Sequence, residues 1–389
     1  MTCELILVNE NNLIMAADKT TVLNNERIFD DVNKIFDFSG KYTMAVMVYG
    51  NPDFMSIPME DFLSNFKEEI SYNRYDKLED LGYSIIDYIE EEYLDYEVDI
   101  KLIKYEFLRL FDNFIRDILS ENKEKDCLKS FEEFLDNFDT DKYINVLENI
   151  KNKNEFNSLD DFFNKLTSLF SSSDDYIKDL LYKLFIQMLI LKKTGIVIGG
   201  YDKLNKNPSF INFELITLLD GEVIKSDFKR IDYNGDNLIL AFSQTKEIMS
   251  FLSGIHPKFQ YTFLSGFESY YDDYLDKLNI IKDDVSNNMS NFNKLNINKN
   301  EFNDLKLVMK GFSKSYDYLK KEIESIKNDN KNFYLEKLSD LSSKDLGFLA
   351  KFLIAITNVK YCLNNGYNIS DLSFNIALLK DDKFMWFYD

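Results

Sequence analysis

The chain has 389 residues, 46 of them basic and 67 acidic, so its formal charge is 46 − 67 = −21. So acidic a surface disfavours nucleic acid, which is bound largely through Lys and Arg, and weakens encounters with anionic membranes. A composition 45% hydrophobic and 15% aromatic supplies a sizeable core. The length exceeds the ~100–200 residues usual for one domain, which calls for two domains or one domain with large insertions.

In chain order, the first notable residue is Thr2. A small residue behind an initiator methionine allows methionine trimming, after which Thr2 would carry both a hydroxyl and a free α-amino group. An alcohol needs an adjacent base to attack, and an N-terminal amine of pKa roughly 7.7–8.0 is one that neutral pH leaves partly unprotonated. A nearby lysine would lower the amine and hydroxyl pKa values, and a carboxylate beside that lysine would keep it charged and aimed. Asp18 and Lys34 fit those roles, sixteen and thirty-two residues after Thr2. Cys3 is a lesser alternative nucleophile, should trimming go one residue further.

Glu4-Leu-Ile-Leu-Val-Asn9 and Leu13-Ile-Met-Ala-Ala-Asp18 are strand-like runs around Glu10-Asn-Asn12, which reads as a tight hairpin. Lys34-Ile-Phe-Asp-Phe38 and Thr43-Met-Ala-Val-Met-Val-Tyr49 read as a second hairpin, turned at Ser39-Gly40-Lys41. All four prolines are Pro52, Pro58, Pro208 and Pro257, so 59–207 and the stretch beyond 258 are free of proline breaks. Between 59 and 190, Phe, Leu, Ile and Tyr recur at three- and four-residue steps, as helices require. The stretch 262–342 reads as helices linked by turns or as a projecting helical hairpin, with Asn-rich joints at 287–300 and 328–332. Ser342 is a suitable N-cap for a helix running to Cys362. Ser373–Leu379 and Phe384–Phe387 close the chain as two strands.

These motifs resemble the proteasome β subunits, the HslV peptidase and, above all, bacterial proteasome-like proteins of the N-terminal nucleophile hydrolases. The resemblance is carried by Met1-Thr2, Met15-Ala-Ala-Asp18, Asn33-Lys-Ile-Phe36 and Met47-Val-Tyr-Gly-Asn-Pro-Asp-Phe54. Thr194-Gly-Ile-Val-Ile-Gly-Gly-Tyr-Asp202, and Ala241-Phe-Ser-Gln244 leading into Phe251-Leu-Ser-Gly-Ile-His-Pro257, extend it.

The resemblance implies an α+β fold, a four-layer αββα sandwich of two antiparallel sheets with large helical insertions. The expected layout is a single domain over 1–389, with core segments at about 1–75, 176–260 and 343–389 and insertions at about 76–175 and 262–342. Met59 to about Glu69 matches the family's first central helix, and Tyr176–Leu191 the second. The implied catalytic set is Thr2 as nucleophile, Lys34 and Asp18 as its tuning pair, the Gly50 N–H as oxyanion donor, and Ser370. Tyr367 stands where the family has an aspartate, and Asp371 is a possible substitute. Thr20, Thr21 and Ser243 are the implied substrate contacts, although the glycines usual around that serine are absent.

The implied activity is amide hydrolysis of peptides through an acyl-enzyme. A small-amide acylase and a catalytically silent scaffold of the same fold are the alternatives. No metal or cofactor is implied, since the single histidine, His256, cannot build a triad or metal site alone, and no zinc-spaced Cys pair or Gly-rich phosphate loop is present. A homo-oligomer is implied as partner. Three distant cysteines, no secretory pattern and no apolar run of ~18 residues point to the cytoplasm, away from membranes.

Overall fold

The computed structural model describes residues 3–23, 26–55, 57–69, 75–95, 104, 107–108, 143–153, 159–168, 175–204, 206–243, 245–256, 258–266, 268–269, 299–366, 372–380 and 383–387. They fall into two units, residues 1–244 with 341–389, and residues 245–340. The strands are, in chain order, β1 (Cys3–Asn9), β2 (Asn12–Asp18), β3 (Thr20–Leu23), β4 (Glu26–Asp30), β5 (Ile35–Asp37), β6 (Met44–Gly50), β7 (Asp53–Phe54), β8 (Ile57–Pro58), β9 (Thr194–Gly200), β10 (Ser209–Leu219), β11 (Glu222–Lys225), β12 (Lys229–Asp232), β13 (Leu238–Ser243), β14 (Phe374–Lys380) and β15 (Lys383–Trp386). The helices are α1 (Met59–Glu69), α2 (Leu78–Asp95), α3 (Ile144–Lys151), α4 (Asp160–Thr167), α5 (Asp175–Leu191), α6 (Lys246–Ser253), α7 (Lys299–Leu338) and α8 (Ser343–Asn365).

The first unit is an α+β sandwich of four layers. One sheet has the order β13-β1-β2-β14-β15 and the other β11-β10-β9-β6-β5, with β12 also pairing β10. Both sheets are antiparallel throughout. Ile6, Val8, Met15, Met47, Val197 and Phe210 meet between the sheets. On the outer face of the second sheet, Val46, Ile198 and Phe213 pack against Phe62 and Phe66 of α1 and Leu81 and Ile85 of α2. Helix α8 lies on β1, β2 and β14 as the fourth layer. Each such fully buried Leu, Ile or Phe contributes about 1.5–3 kcal/mol.

This layering explains the sequence pattern of β1 and β2. Both strands are buried along their whole length, so each reads as a continuous apolar run and not as an alternation. Their hairpin turns on Glu10-Asn11, where the Asn9 side-chain oxygen accepts the backbone N–H groups of Asn11 (3.2 Å) and Asn12 (3.0 Å).

The Gly199-Gly200-Tyr201-Asp202 motif serves the architecture. Gly200 has φ +151°, and a Cβ there would stand 1.9 Å from the Thr43 carbonyl oxygen. The Tyr201 hydroxyl donates to the Asn11 carbonyl of the facing sheet (3.0 Å), while Asp202 accepts the Leu78 N–H at the start of α2 and pairs with Arg230 at 2.9 Å. Sequence segment 76–175 thus contributes α2 to the layer on the second sheet, while α3, α4 and α5 form a further cluster with Ile216, Leu219 and Ile224 of β10 and β11.

Helix α8 starts at an N-cap, Ser342, whose hydroxyl oxygen accepts the Asp345 N–H at 3.2 Å. Residues Ser343–Asn364 are long and apolar enough to cross a membrane by length and composition. Leu346, Ala350, Leu353 and Ile354 are buried, and their place against the first sheet accounts for the apolar character.

In the second unit, α7 runs for 40 residues without a break. The Asn-rich stretch 328–332 therefore is not a joint. Asparagine is a mediocre helix former but no breaker, and here Asn330 donates to the Ser253 carbonyl of α6 (2.9 Å) beside the Phe251–Tyr334 ring contact. The other expected joint, 287–300, lies almost wholly outside the described residues.

Candidate functional site

Lys34 lies immediately before β5, with its carbonyl accepting the Val48 N–H of β6 at 2.9 Å. The preceding residue is tied to α1, since the Asn33 N–H donates to the Glu60 carboxylate at 3.1 Å. From this anchor the Lys34 side chain crosses from the second sheet to the first, and its ammonium meets the Asp18 carboxylate at the end of β2. The spacing of the two residues becomes contact because stacking the two hairpins puts these strand ends together.

A third charged residue joins them. Glu4 of β1 pairs with Lys34 at 3.2 Å, and the Thr20 carbonyl accepts from the same ammonium at 3.1 Å. Glu4, Asp18 and Lys34 are only 0%, 1% and 3% exposed. Burial pushes the Glu4 carboxyl up to about 7, with the Asp18 charge adding to the rise and Lys34 and the Ser243 hydroxyl opposing it. Asp18 is also raised by burial, against the pull of Lys34, the Cys3 N–H and Asn358. For Lys34, burial favours the neutral form, but the Asp18 and Glu4 carboxylates outweigh it and hold the ammonium above the ordinary lysine value. Sequence reasoning passed over Glu4. The available signal was a lone acid inside the apolar run Cys3-Glu-Leu-Ile-Leu-Val8.

Gly50 closes β6 at φ +82°, a left-handed conformation that favours glycine, and a Cβ there would press on the Lys193 carbonyl at 3.2 Å. Its N–H donates to the Ser243 hydroxyl at 2.9 Å. Ser243 ends β13 opposite Cys3 and is itself left-handed, at φ +59°. A small cleft of about 10 Å³, room for roughly one water, is lined by Glu4, Asn33, Lys34, Tyr49, Gly50, Asn51 and Glu60. Glu4, Lys34, Gly50 and Ser243 are thus drawn from four strand ends to one place.

The remaining sequence candidates divide as follows. Thr20 is buried, contributes its carbonyl to Lys34, and its hydroxyl has no hydrogen-bond partner among the described residues. Thr21 pairs with Phe29 in the β3–β4 ribbon, and its side chain lies outside the described residues. Thr2 and Ser370 lie outside them too, as do Tyr367 and Asp371. Cys3, which follows Thr2, directs its backbone N–H to Asp18, while its thiol is buried and raised by that burial and by the Glu4 charge. A thiol so disposed is a poor nucleophile. His256 of the second unit accepts the Lys258 N–H through Nδ1 at 3.1 Å, a local turn contact. Among the described residues, no group of three or more His, Cys, Asp or Glu side chains could hold a metal ion.

No protein-family model matches the chain, and no curated protein is similar to it. Among solved structures, the chain is similar to a Gly-1 mutant of Anbu from Hyphomicrobium sp. strain MC1, with 11% identity and a TM-score of 0.28, over 66% of this chain and 65% of that one. The match therefore spans less than two thirds of that protein's length. It is also similar to Anbu, described as an ancestral beta-subunit, from Yersinia bercovieri, with 10% identity and a TM-score of 0.26, over 70% of this chain and 74% of that one.

Proposed function

We propose that the protein is a proteasome-like N-terminal threonine hydrolase that cleaves amide bonds of peptides through an acyl-enzyme. The observation that carries this reading is the buried Lys34–Asp18 pair at the start of β1, with Asp18 taking the N–H of Cys3. Thr2 directly precedes Cys3 in the chain.

In the reaction, the Thr2 hydroxyl adds to the substrate carbonyl as its proton passes to the Thr2 amine. The C–N bond then breaks, the leaving amine takes that proton, and an ester to Thr2 remains. Water, deprotonated by the same amine, hydrolyses the ester. Lys34 lowers the amine's proton affinity by its charge, and Asp18 keeps that charge in place. The Gly50 N–H stabilises the tetrahedral oxyanion, for which the Ser243 hydroxyl must yield its place. Ser370 supports the Thr2 amine, Thr20, Thr21 and Ser243 contact the substrate, and the protein assembles with copies of itself.

Two observations favour the other reading, a silent scaffold of the same fold. The Gly50 N–H is already taken by Ser243, and Lys34 is held by two carboxylates. Intact mass separates the two. The hydrolase loses Met1 when made in cells with active methionine trimming, reacts once with a peptide epoxyketone, and fails to react as Thr2→Ala. Retained Met1, or equal labelling of Thr2→Ala, refutes it.

A further inference from the structure

An ammonium has three N–H donors. Lys34 directs all three to Asp18, Glu4 and the Thr20 carbonyl. None remains for a group entering the cleft that Lys34 lines. Asp18 sits at the end of β2, on the side of Cys3 and Asn358. Glu4 lines the cleft itself and is linked through Ser243 to the Gly50 N–H. The carboxylate facing the cleft is therefore Glu4.

We propose that Glu4 is a positioning residue of this site, which in its ionised form withholds one Lys34 N–H from the cleft and in its protonated form releases it. The proposal rests on the nucleophile reading above. The charged and titratable groups around Glu4 are Lys34 before β5, Asp18 of β2, Cys3 of β1, Tyr49 of β6 and Glu60 of α1. Cys3 and Tyr49 are both raised by burial and remain protonated near neutrality. Lys34 remains charged. Glu4, at about 7, changes charge around neutral pH, and Asp18, raised in the same direction by burial, shares the same ammonium. Its ionisation tightens the hold on Lys34 and adds one negative charge to the cluster, which opposes the deprotonation of a neighbouring amine.

The test measures the epoxyketone labelling rate of wild type, Glu4→Gln and Glu4→Asp against pH. Gln keeps the reach and removes the charge, and Asp keeps the charge and shortens the reach. Comparing Glu4→Gln with wild type isolates the pH dependence that the Glu4 charge imparts, its effect on the amine included. A group titrating at about 7 is mostly protonated at pH ~6 and mostly ionised at pH ~8. The ratio of variant to wild-type rate should therefore rise about tenfold across that interval. A ratio independent of pH overturns the proposal.

A second readout needs neither variant nor reactive Thr2. The carbamoylation rate of Lys34 by cyanate in wild type, divided by that of exposed Lys183, should fall severalfold from pH ~6 to pH ~8 as the hold tightens. A constant quotient overturns the hold. If Thr2 stays unlabelled while the quotient falls, the nucleophile reading fails and the hold stands.

Discussion

Replacing Glu4 by Gln should remove a pH-dependent penalty from the fold. The carboxyl is fully buried and raised from an ordinary 4.5 to about 7. Between those values the folded chain keeps a proton that the unfolded chain has lost. The unfolding free energy then falls as pH rises, by about 1.4 kcal/mol per pH unit. The contribution is fully present below pH ~4.5 and gone above pH ~7, an integrated loss of about 3 kcal/mol. Asp18, raised in the same direction, adds to the wild-type slope. Lys34 is raised from an already high value, so its stabilisation is present throughout this window and is lost only in strong alkali. Urea denaturation of both proteins at pH ~5, ~6, ~7 and ~8 measures the effect. Glu4→Gln should gain about 2–3 kcal/mol on wild type from the lowest pH to the highest, whatever their offset at pH ~5. A difference constant with pH refutes the claim that Glu4 titrates near neutrality in the folded protein.

Lys34→Met leaves two buried carboxylates without their cation, which should cost about 3–5 kcal/mol at pH ~8 and less at pH ~5, where the acids protonate. Denaturant titration at the two pH values reads the difference, and an equal loss at both contradicts the ion cluster. Gly200→Ala puts a methyl 1.9 Å from the Thr43 carbonyl oxygen and should cost about 3 kcal/mol or more. Thermal melting within a degree of wild type contradicts that close approach. Ser342→Ala removes the α8 cap and should cost about 1 kcal/mol, seen as a lowered urea midpoint with unchanged slope.

The locally encoded parts of this protein are legible in its sequence. Strands β1, β2, β5, β6, β9, β14 and β15 appear as apolar runs between turn residues, because hairpin pairing depends on neighbours in the chain. The Ser342 cap is similarly local. Lys34 and Asp18 stand out through spacing and resemblance, and the structure brings them into contact. Thr2, the other half of that reading, lies outside the described residues.

Three things required the tertiary structure. Helix α7 runs through 328–332 because α6 packs beside it and Asn330 bonds to Ser253, a relation that no single window of sequence contains. The periodicity of α2 says that it is helical but not that it covers the second sheet, since an apolar stripe does not name its partner. Glu4 shows this most sharply. Strand alternation gives an acid one of two faces, but only the stacking of the sheets decides whether that face meets water or an ammonium. Composition and pattern thus determine the hairpins and helices one by one. Which charges converge is decided by the packing of elements distant in sequence, because a charge is felt through space and not along the chain.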